Sequence, residues 1–207
     1  MQPVEELPFI SEELAQEEAN KVLGLTSYHY RRMNNIFSTL GASAYLDLPN
    51  DYVHKAAETN PIIDEHFSEL LKAVKNRLSQ YMQLEVIDLP DAGRVGFHVF
   101  DSRANGQQAN WHVDLPFQNV RWCEPFSYPF SFTVPLTLPN GIGGLEYKDK
   151  DGNENYLPYT IGNMYLSSGL FLHRIANPVE ITEGQTRITL QGHGAILGFS
   201  NKAAVYF

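Results

Sequence analysis

The chain has 207 residues, 43% of them hydrophobic and 19% charged, with a formal net charge of −9. This composition fits one globular domain with room for an enclosed pocket, and it excludes a disordered chain. Acidity without a Lys/Arg run gives no electrostatic footprint for nucleic acid, the lone Cys123 excludes an internal disulfide, and no apolar run approaches a membrane span.

The first residues, MetGlnProValGluGluLeuProPhe, have neither a basic n-region nor an apolar h-region, so the expected location is the cytoplasm. Residues 1–207 are expected to form one domain, with a mostly helical support over 1–90 and a β core over 91–207. Ser11 caps a helix running through Glu12, Leu14 and Ala19 to Leu23. A second helix is expected over 28–40, ended by Gly41, and a short third one capped by Asn50. Asn60-Pro61 reads as another start, with Asn at the N-cap and Pro at the first helical position. Ile63, Phe67, Leu70, Leu71, Val74 and Leu78 then form one stripe at the helical period, which calls for a sheet to lie on.

After residue 90, short strands alternate with Gly, Pro and Asn turns. The expected strands are 93–100, 109–115, 129–138, 144–149, 162–167, 170–175, 185–192 and 195–200. Pro125, Pro129, Pro135 and Pro139 are expected at strand ends and in loops. The fold class that follows is mainly β with N-terminal helices: a double-sheet jelly roll with helices packed on the outer face of one sheet.

His112 and Asp114 lie two apart in AlaAsnTrpHisValAsp, so on a strand both side chains reach the same point. His173, 59 residues beyond Asp114, supplies a third ligand. Two imidazoles and one carboxylate form a facial triad that suits Fe(II) and leaves three positions open. A His-x-Asp pair by itself is equally well a solvated pair on a surface strand.

Arg187, 14 residues after His173, shares one strand face with Thr189 and Gln191, while Ile188 and Leu190 share the other. An arginine turned inward needs an anion, and its planar guanidinium suits a carboxylate. The alternatives are an edge-strand arginine in solvent or an ion pair with a protein acid.

These segments together resemble the Fe(II)/2-oxoglutarate-dependent dioxygenases. PheHisValPheAspSerArgAlaAsnGlyGlnGlnAlaAsnTrpHisValAspLeuProPhe is similar to the family's entry strand, loop and His-x-Asp strand. AsnGlyIleGlyGlyLeuGluTyr resembles its Gly-Gly turn. GlyAsnMetTyrLeu, HisArgIleAlaAsnPro and ThrArgIleThrLeu resemble its closing segments, in the same order over about residues 92–200. The resemblance implies a double-stranded β-helix, iron held by His112, Asp114 and His173, and 2-oxoglutarate bound through Arg187 with Thr189 beside it. The His-to-Arg interval is longer than is common in the family, with ValGluIleThrGluGlyGln as the insertion; Arg174 is the other candidate clamp. The implied reaction consumes O2 and 2-oxoglutarate to hydroxylate a small metabolite or amino-acid-like substrate. A carboxylate at position 114 argues against halogenation, for which relatives carry a small residue there. A cupin-like metal enzyme without 2-oxoglutarate, a hydroxylase of a peptide or protein side chain, and a non-catalytic binding module are the competing readings.

Phe117, Trp122, Phe126 and Tyr128 follow the His-x-Asp pair in a Pro-bounded loop and are candidate substrate contacts or ordinary packing. His193 reaches substrate if the strand of Arg187 continues past Gly192. His98 reads as a satisfied core histidine, Trp111 as core packing facing away from the metal, and Cys123 as a buried thiol. Asn110, Gln107, Arg103 and Arg121 are weaker substrate contacts. His29, His54 and His66 are expected on helix surfaces.

Overall fold

The computed structural model describes residues 3–107, 109–176 and 180–207. Helix α1 (Glu12–Gly24) begins where expected, with Ser11 Oγ accepting from the Leu14 amide at 3.2 Å. Its buried face, Ala15, Ala19 and Val22, meets the outer side of the larger sheet.

The second expected helix is a hairpin instead, β2 (Tyr30–Arg32) and β3 (Phe37–Leu40). Met33, Asn34 and Asn35 between them all have positive φ, which no α-helix accommodates and which asparagine tolerates better than most residues.

The third and fourth expected helices are one, α2 (Pro49–Met82). The start is displaced because Pro49, not Pro61, takes the first position, and Pro61 lies inside. Asn60 therefore caps nothing. Its amide donates to the Ala92 carbonyl at 2.9 Å and accepts from the Arg94 amide at 2.8 Å, tying the helix to the segment that enters the barrel. The helix is interrupted at Phe67 (φ −127°), whose ring packs 4.5 Å from that of Phe97. The stripe of Ile63, Phe67, Leu70, Leu71, Val74 and Leu78 is buried, as the period requires.

Nine strands form the larger sheet. Beside β2 and β3 these are β1 (Val4–Pro8), β4 (Glu85–Asp88), β5 (Gly96–Phe100), β6 (Phe126–Thr137), β9 (Asn163–Ser167), β11 (Arg187–Leu197) and β12 (Lys202–Tyr206). Seven follow the order β1-β9-β6-β11-β5-β3-β2; β12 pairs with β11 and carries β4 in parallel. The smaller sheet is β10-β7-β8, with β7 (Gly144–Lys148), β8 (Glu154–Pro158) and β10 (His173–Ile175). The architecture is the expected double-sheet jelly roll with both helices on the outer face of the larger sheet.

Strands β1, β4, β8 and β12 were not anticipated. Residues 109–115 form no strand; an isolated bridge between His112 and His173 takes its place. The strands expected over 185–192 and 195–200 are the single β11, which runs through Gly192 and Gly194. A Cβ at either glycine would lie 2.5 or 2.4 Å from the Phe132 or Phe130 ring, so the bare backbone is what lets these rings pack across the strand. Pro129 and Pro135 lie inside β6, not at its ends, and Pro135 falls at a register shift against β11.

Alternation along β11 sorts the barrel. Ile188 and Leu190 face outward to α1 and α2, in the main core. Arg187, Thr189 and His193 are buried on the inner face, at 3%, 3% and 1% exposure. Opposite them stand Phe100 and His98 on β5, Ser131 on β6 and Tyr206 on β12.

Candidate metal centre

The two histidines come together through their own backbones. The His112 amide donates to the His173 carbonyl at 3.0 Å, and the His173 amide donates back at 2.9 Å. This pair of bonds fixes the extended chain at 112 that a strand was expected to supply. Two residues on, the Asp114 amide donates to the Gly169 carbonyl at 2.8 Å, so the segment is held at both ends. One ligand atom each from His112, Asp114 and His173 then lies within 4.8 Å of the others. His173 Nε2 is 3.5 Å from Asp114 Oδ1, and His112 Nε2 is 3.9 Å from the same oxygen.

Both imidazoles are tied in the same way. His112 Nδ1 lies 2.8 Å from the Asn110 carbonyl, and His173 Nδ1 lies 2.8 Å from the Phe171 carbonyl. A carbonyl only accepts, so each Nδ1 carries a hydrogen, and in the neutral ring Nε2 is the nitrogen left with a lone pair on the Asp114 side. That is the tautomer a metal requires.

Burial presses the Asp114 carboxyl towards the neutral form. The hydrogen bond from His173, the neighbouring imidazoles and Ser131 outweigh burial and hold its pKa well below the usual range. His173 shows the reciprocal pattern: burial opposes its charge, but the Asp114 contact raises its pKa. Two facing nitrogen lone pairs and an ionised carboxylate make a donor set for a divalent ion, and the N2O composition with an open side is that of a non-haem Fe(II) site. The open side lies at His112, whose side chain is 48% exposed, against 10% for His173.

Arg187 is buried on the inner face of β11. Its Nη2 crosses from the larger sheet to the Gly144 carbonyl of β7 at 3.3 Å, and its guanidinium lies 5.7 Å from the Tyr159 ring centre. Its Nε and Nη1 are buried with no hydrogen-bond partner among the described residues. Burial lowers the Arg187 pKa, with partial compensation from Tyr159 and Tyr156. Thr189 lies two residues on, on the same inner face. Arg174, the other candidate clamp, is engaged by Glu146 and stacks 4.3 Å from the Trp111 ring centre.

The remaining candidates divide. His193 lies on the inner face with Nδ1 2.9 Å from Ser131 Oγ. Phe117, on a single turn Pro116–Gln118, packs 5.8 Å from Phe126, and its carbonyl accepts from Trp122 Nε1 at 2.8 Å. Trp122 stacks on Phe126 and meets Tyr206 edge-on, so it packs into the second core. His98 is satisfied by Tyr45 Oη, and burial, with the nearby His193, Arg32 and Arg187, pushes its pKa down to about 3.

Three expectations are corrected. Cys123 is exposed, not in the core. Trp111 is half-buried and meets the cations of Lys148 and Arg174, 4.8 and 4.3 Å from its ring centre. His29 follows a single turn and bonds the Val22 carbonyl, whereas His54 and His66 do lie exposed on α2. Gln107, Asn110 and Arg121 are exposed, and Arg103 pairs with Asp101. Asn177 and Pro178 of the closing segment, Val179 of the insertion and Gln108 lie outside the described residues. Tyr45, Ser131 and Tyr206 escaped sequence reasoning: Tyr45 sits in an aperiodic loop, and Ser131 and Tyr206 face inward on strands whose pairing the sequence does not reveal.

No protein-family model and no curated protein matches the chain. Solved structures do. An N-substituted L-amino acid dioxygenase from Burkholderia ambifaria AMMD shares 10% identity with a TM-score of 0.60, over 99% of this chain and 86% of that one. The same enzyme solved in complex with alpha-KG gives 9%, 0.59 and the same coverage. The non-heme alpha ketoglutarate dependent epimerase SnoN from nogalamycin biosynthesis gives 11% and 0.58, over 92% of this chain and 76% of that one. At such identities the likeness establishes the fold: this chain shares, nearly end to end, the barrel on which these structures are built.

Proposed function

We propose that the protein is a non-haem Fe(II)- and 2-oxoglutarate-dependent oxygenase that hydroxylates a small molecule at an unactivated C–H bond. The observation that carries this reading is a pairing inside one barrel. Two imidazoles turn Nε2 towards a carboxylate held ionised, and the inner face of the same barrel carries a buried guanidinium two of whose nitrogens have no hydrogen-bond partner among the described residues. His112, Asp114 and His173 would hold the iron. Arg187, with Thr189 beside it, would take the far carboxylate of 2-oxoglutarate. Burying a cation without an anion is costly, and a dicarboxylate would relieve that cost.

When bound, iron and 2-oxoglutarate with O2 supply the oxidation, the co-substrate leaving as succinate and carbon dioxide. The chain's own residues do the rest. The Asn110 and Phe171 carbonyls keep both ligand imidazoles in the metal-binding tautomer. Asp114 remains ionised despite its burial. Arg187 would hold the co-substrate by its far carboxylate. Substrate approaches on the open His112 side, where Leu115, Leu170 and Leu172 are exposed.

The test is turnover: purified protein, Fe(II), ascorbate and 2-oxoglutarate in air, with succinate as the readout. Succinate formation that depends on Fe(II) and is abolished in His173→Ala supports the reading. Binding of Fe(II) without any consumption of 2-oxoglutarate, across a library of amino acids and metabolites, would transfer the protein to metal enzymes that need no 2-oxo acid.

A further inference from the structure

His193 is the one buried histidine of the inner face with a nitrogen that meets nothing among the described residues. Its Nδ1 contacts Ser131 Oγ at 2.9 Å, and its Nε2 has no partner. Ser131 is its register partner across β6 and β11. The Ser131 hydroxyl in turn stands beside Asp114. A Cβ placed on Gly169 would lie 2.8 Å from Ser131 Oγ and 2.9 Å from Asp114 Oδ2, so both oxygens border the same point.

The two oxygens of Asp114 therefore have different neighbours. Oδ1 faces the Nε2 atoms of His112 and His173, and Oδ2 faces the Ser131 side. A carboxylate that holds a metal can only accept, so a hydrogen shared between Ser131 and Asp114 comes from the Ser131 hydroxyl. The Ser131 oxygen must then accept from His193, which places the imidazole hydrogen on Nδ1.

We propose that Ser131 and His193 are positioning residues for the metal centre: His193 Nδ1–H donates to Ser131, Ser131 O–H donates to Asp114 Oδ2, and Oδ1 is thereby presented to the ion. The proposal rests on the reading of His112, Asp114 and His173 as metal ligands. The relay reaches the ion through a ligand already ionised, and partners of this kind orient a ligand and tune its affinity. The same tautomer leaves His193 Nε2 as a bare lone pair inside the barrel, where it accepts from an O–H or N–H of a bound molecule.

Two measurements test the relay. The first is Zn(II) affinity by competition with a chromophoric chelator, which needs no turnover. Ser131→Ala is expected to weaken Zn(II) about 10- to 100-fold, and Ser131→Thr, which keeps the hydroxyl, to restore it. His193→Leu is expected to weaken Zn(II) less, and adding it to Ser131→Ala to cost nothing further, because one relay carries both effects. The second is nitrogen NMR on the metal-free protein. His193 is expected with Nδ1 protonated and Nε2 bare, a bias lost in Ser131→Ala. An Nε2-protonated His193, or a folded Ser131→Ala protein that binds Zn(II) as the wild type does, would overturn the proposal. If the wild type binds no Zn(II), the metal reading fails and the positioning role with it, whereas an NMR result against the tautomer leaves the metal reading standing.

Discussion

Replacing Arg187 with methionine separates two consequences of a buried guanidinium. Among the described residues the side chain makes one long hydrogen bond, 3.3 Å to the Gly144 carbonyl, and one contact with the Tyr159 ring at 5.7 Å. Each contributes about 0.5–1 kcal/mol. Against them stands the burial of a charge whose Nε and Nη1 are unpartnered, an effective penalty of several kcal/mol. Methionine keeps the unbranched stem and removes the charge. The metal-free variant should therefore be at least as stable as the wild type, and a gain of about 1 kcal/mol would raise the melting temperature by roughly 2–4 °C. Binding of 2-oxoglutarate should move the other way. Charge-assisted hydrogen bonds contribute about 1.5–3 kcal/mol each, so losing the clamp should weaken binding by about 3 kcal/mol, or roughly 100-fold. Calorimetric titration of the Zn(II)-loaded protein with 2-oxoglutarate, beside thermal melts without it, measures both. Unchanged 2-oxoglutarate affinity, or a metal-free variant that melts well below the wild type, would refute the reasoning.

Gly169→Ala places a Cβ 2.7 Å from the Asp114 Cβ at a φ of +68°, so about 1–2 kcal/mol of stability should be lost and Zn(II) affinity should fall with it, both readable in one set of melts with and without metal. Asn60→Ala removes this side chain's two bonds to the Ala92–Arg94 segment and should cost about 1–3 kcal/mol in urea unfolding, with Zn(II) affinity nearly unchanged. The His173–Asp114 pair gives a pH dependence of opposite sign for stability and for metal. The raised His173 pKa contributes stability that is complete below the unfolded histidine value and is lost as pH rises through the folded one. The depressed Asp114 pKa contributes stability present above the unfolded carboxylate value and lost as pH falls through the folded one. The metal-free protein should thus draw most from this pair between the ordinary carboxylate and histidine values. Metal affinity should fall as pH drops, because a proton on His173 competes; melts at about pH 5 and about pH 8, with and without Zn(II), check both signs, and the Asp114→Asn variant should lose the stability part.

The convergence of His112, Asp114 and His173 was legible because chemistry and spacing agree: a His-x-Asp pair needs only an extended chain. That chain is extended for another reason than expected, a two-bond bridge to His173 and one bond to Gly169, neither of which local sequence encodes. Arg187 was legible from alternation along one strand, which outer Ile188 and Leu190 obey. The hairpin at 30–40 was misread because apolar spacing there mimics a helical period; the signal against a helix was the Asn34-Asn35 pair, now at positive φ. Asn60-Pro61 carries a start signal that tertiary bonds to Ala92 and Arg94 redirect. Strands β4 and β12 pair in parallel far from each other in sequence, so no short-range pattern announces them. For the same reason Ser131 and Tyr206 could not be placed around His193, and Tyr45, in its aperiodic loop, could not either.

Anaerobic addition of 2-oxoglutarate to the protein loaded with Fe(II) tests the barrel's chemistry at its narrowest point. A metal-to-ligand absorption band in the visible, saturating at one iron and one 2-oxoglutarate per chain and missing from His173→Ala, is the expected result. Iron bound at 112, 114 and 173 with no such band at saturating 2-oxoglutarate would contradict it.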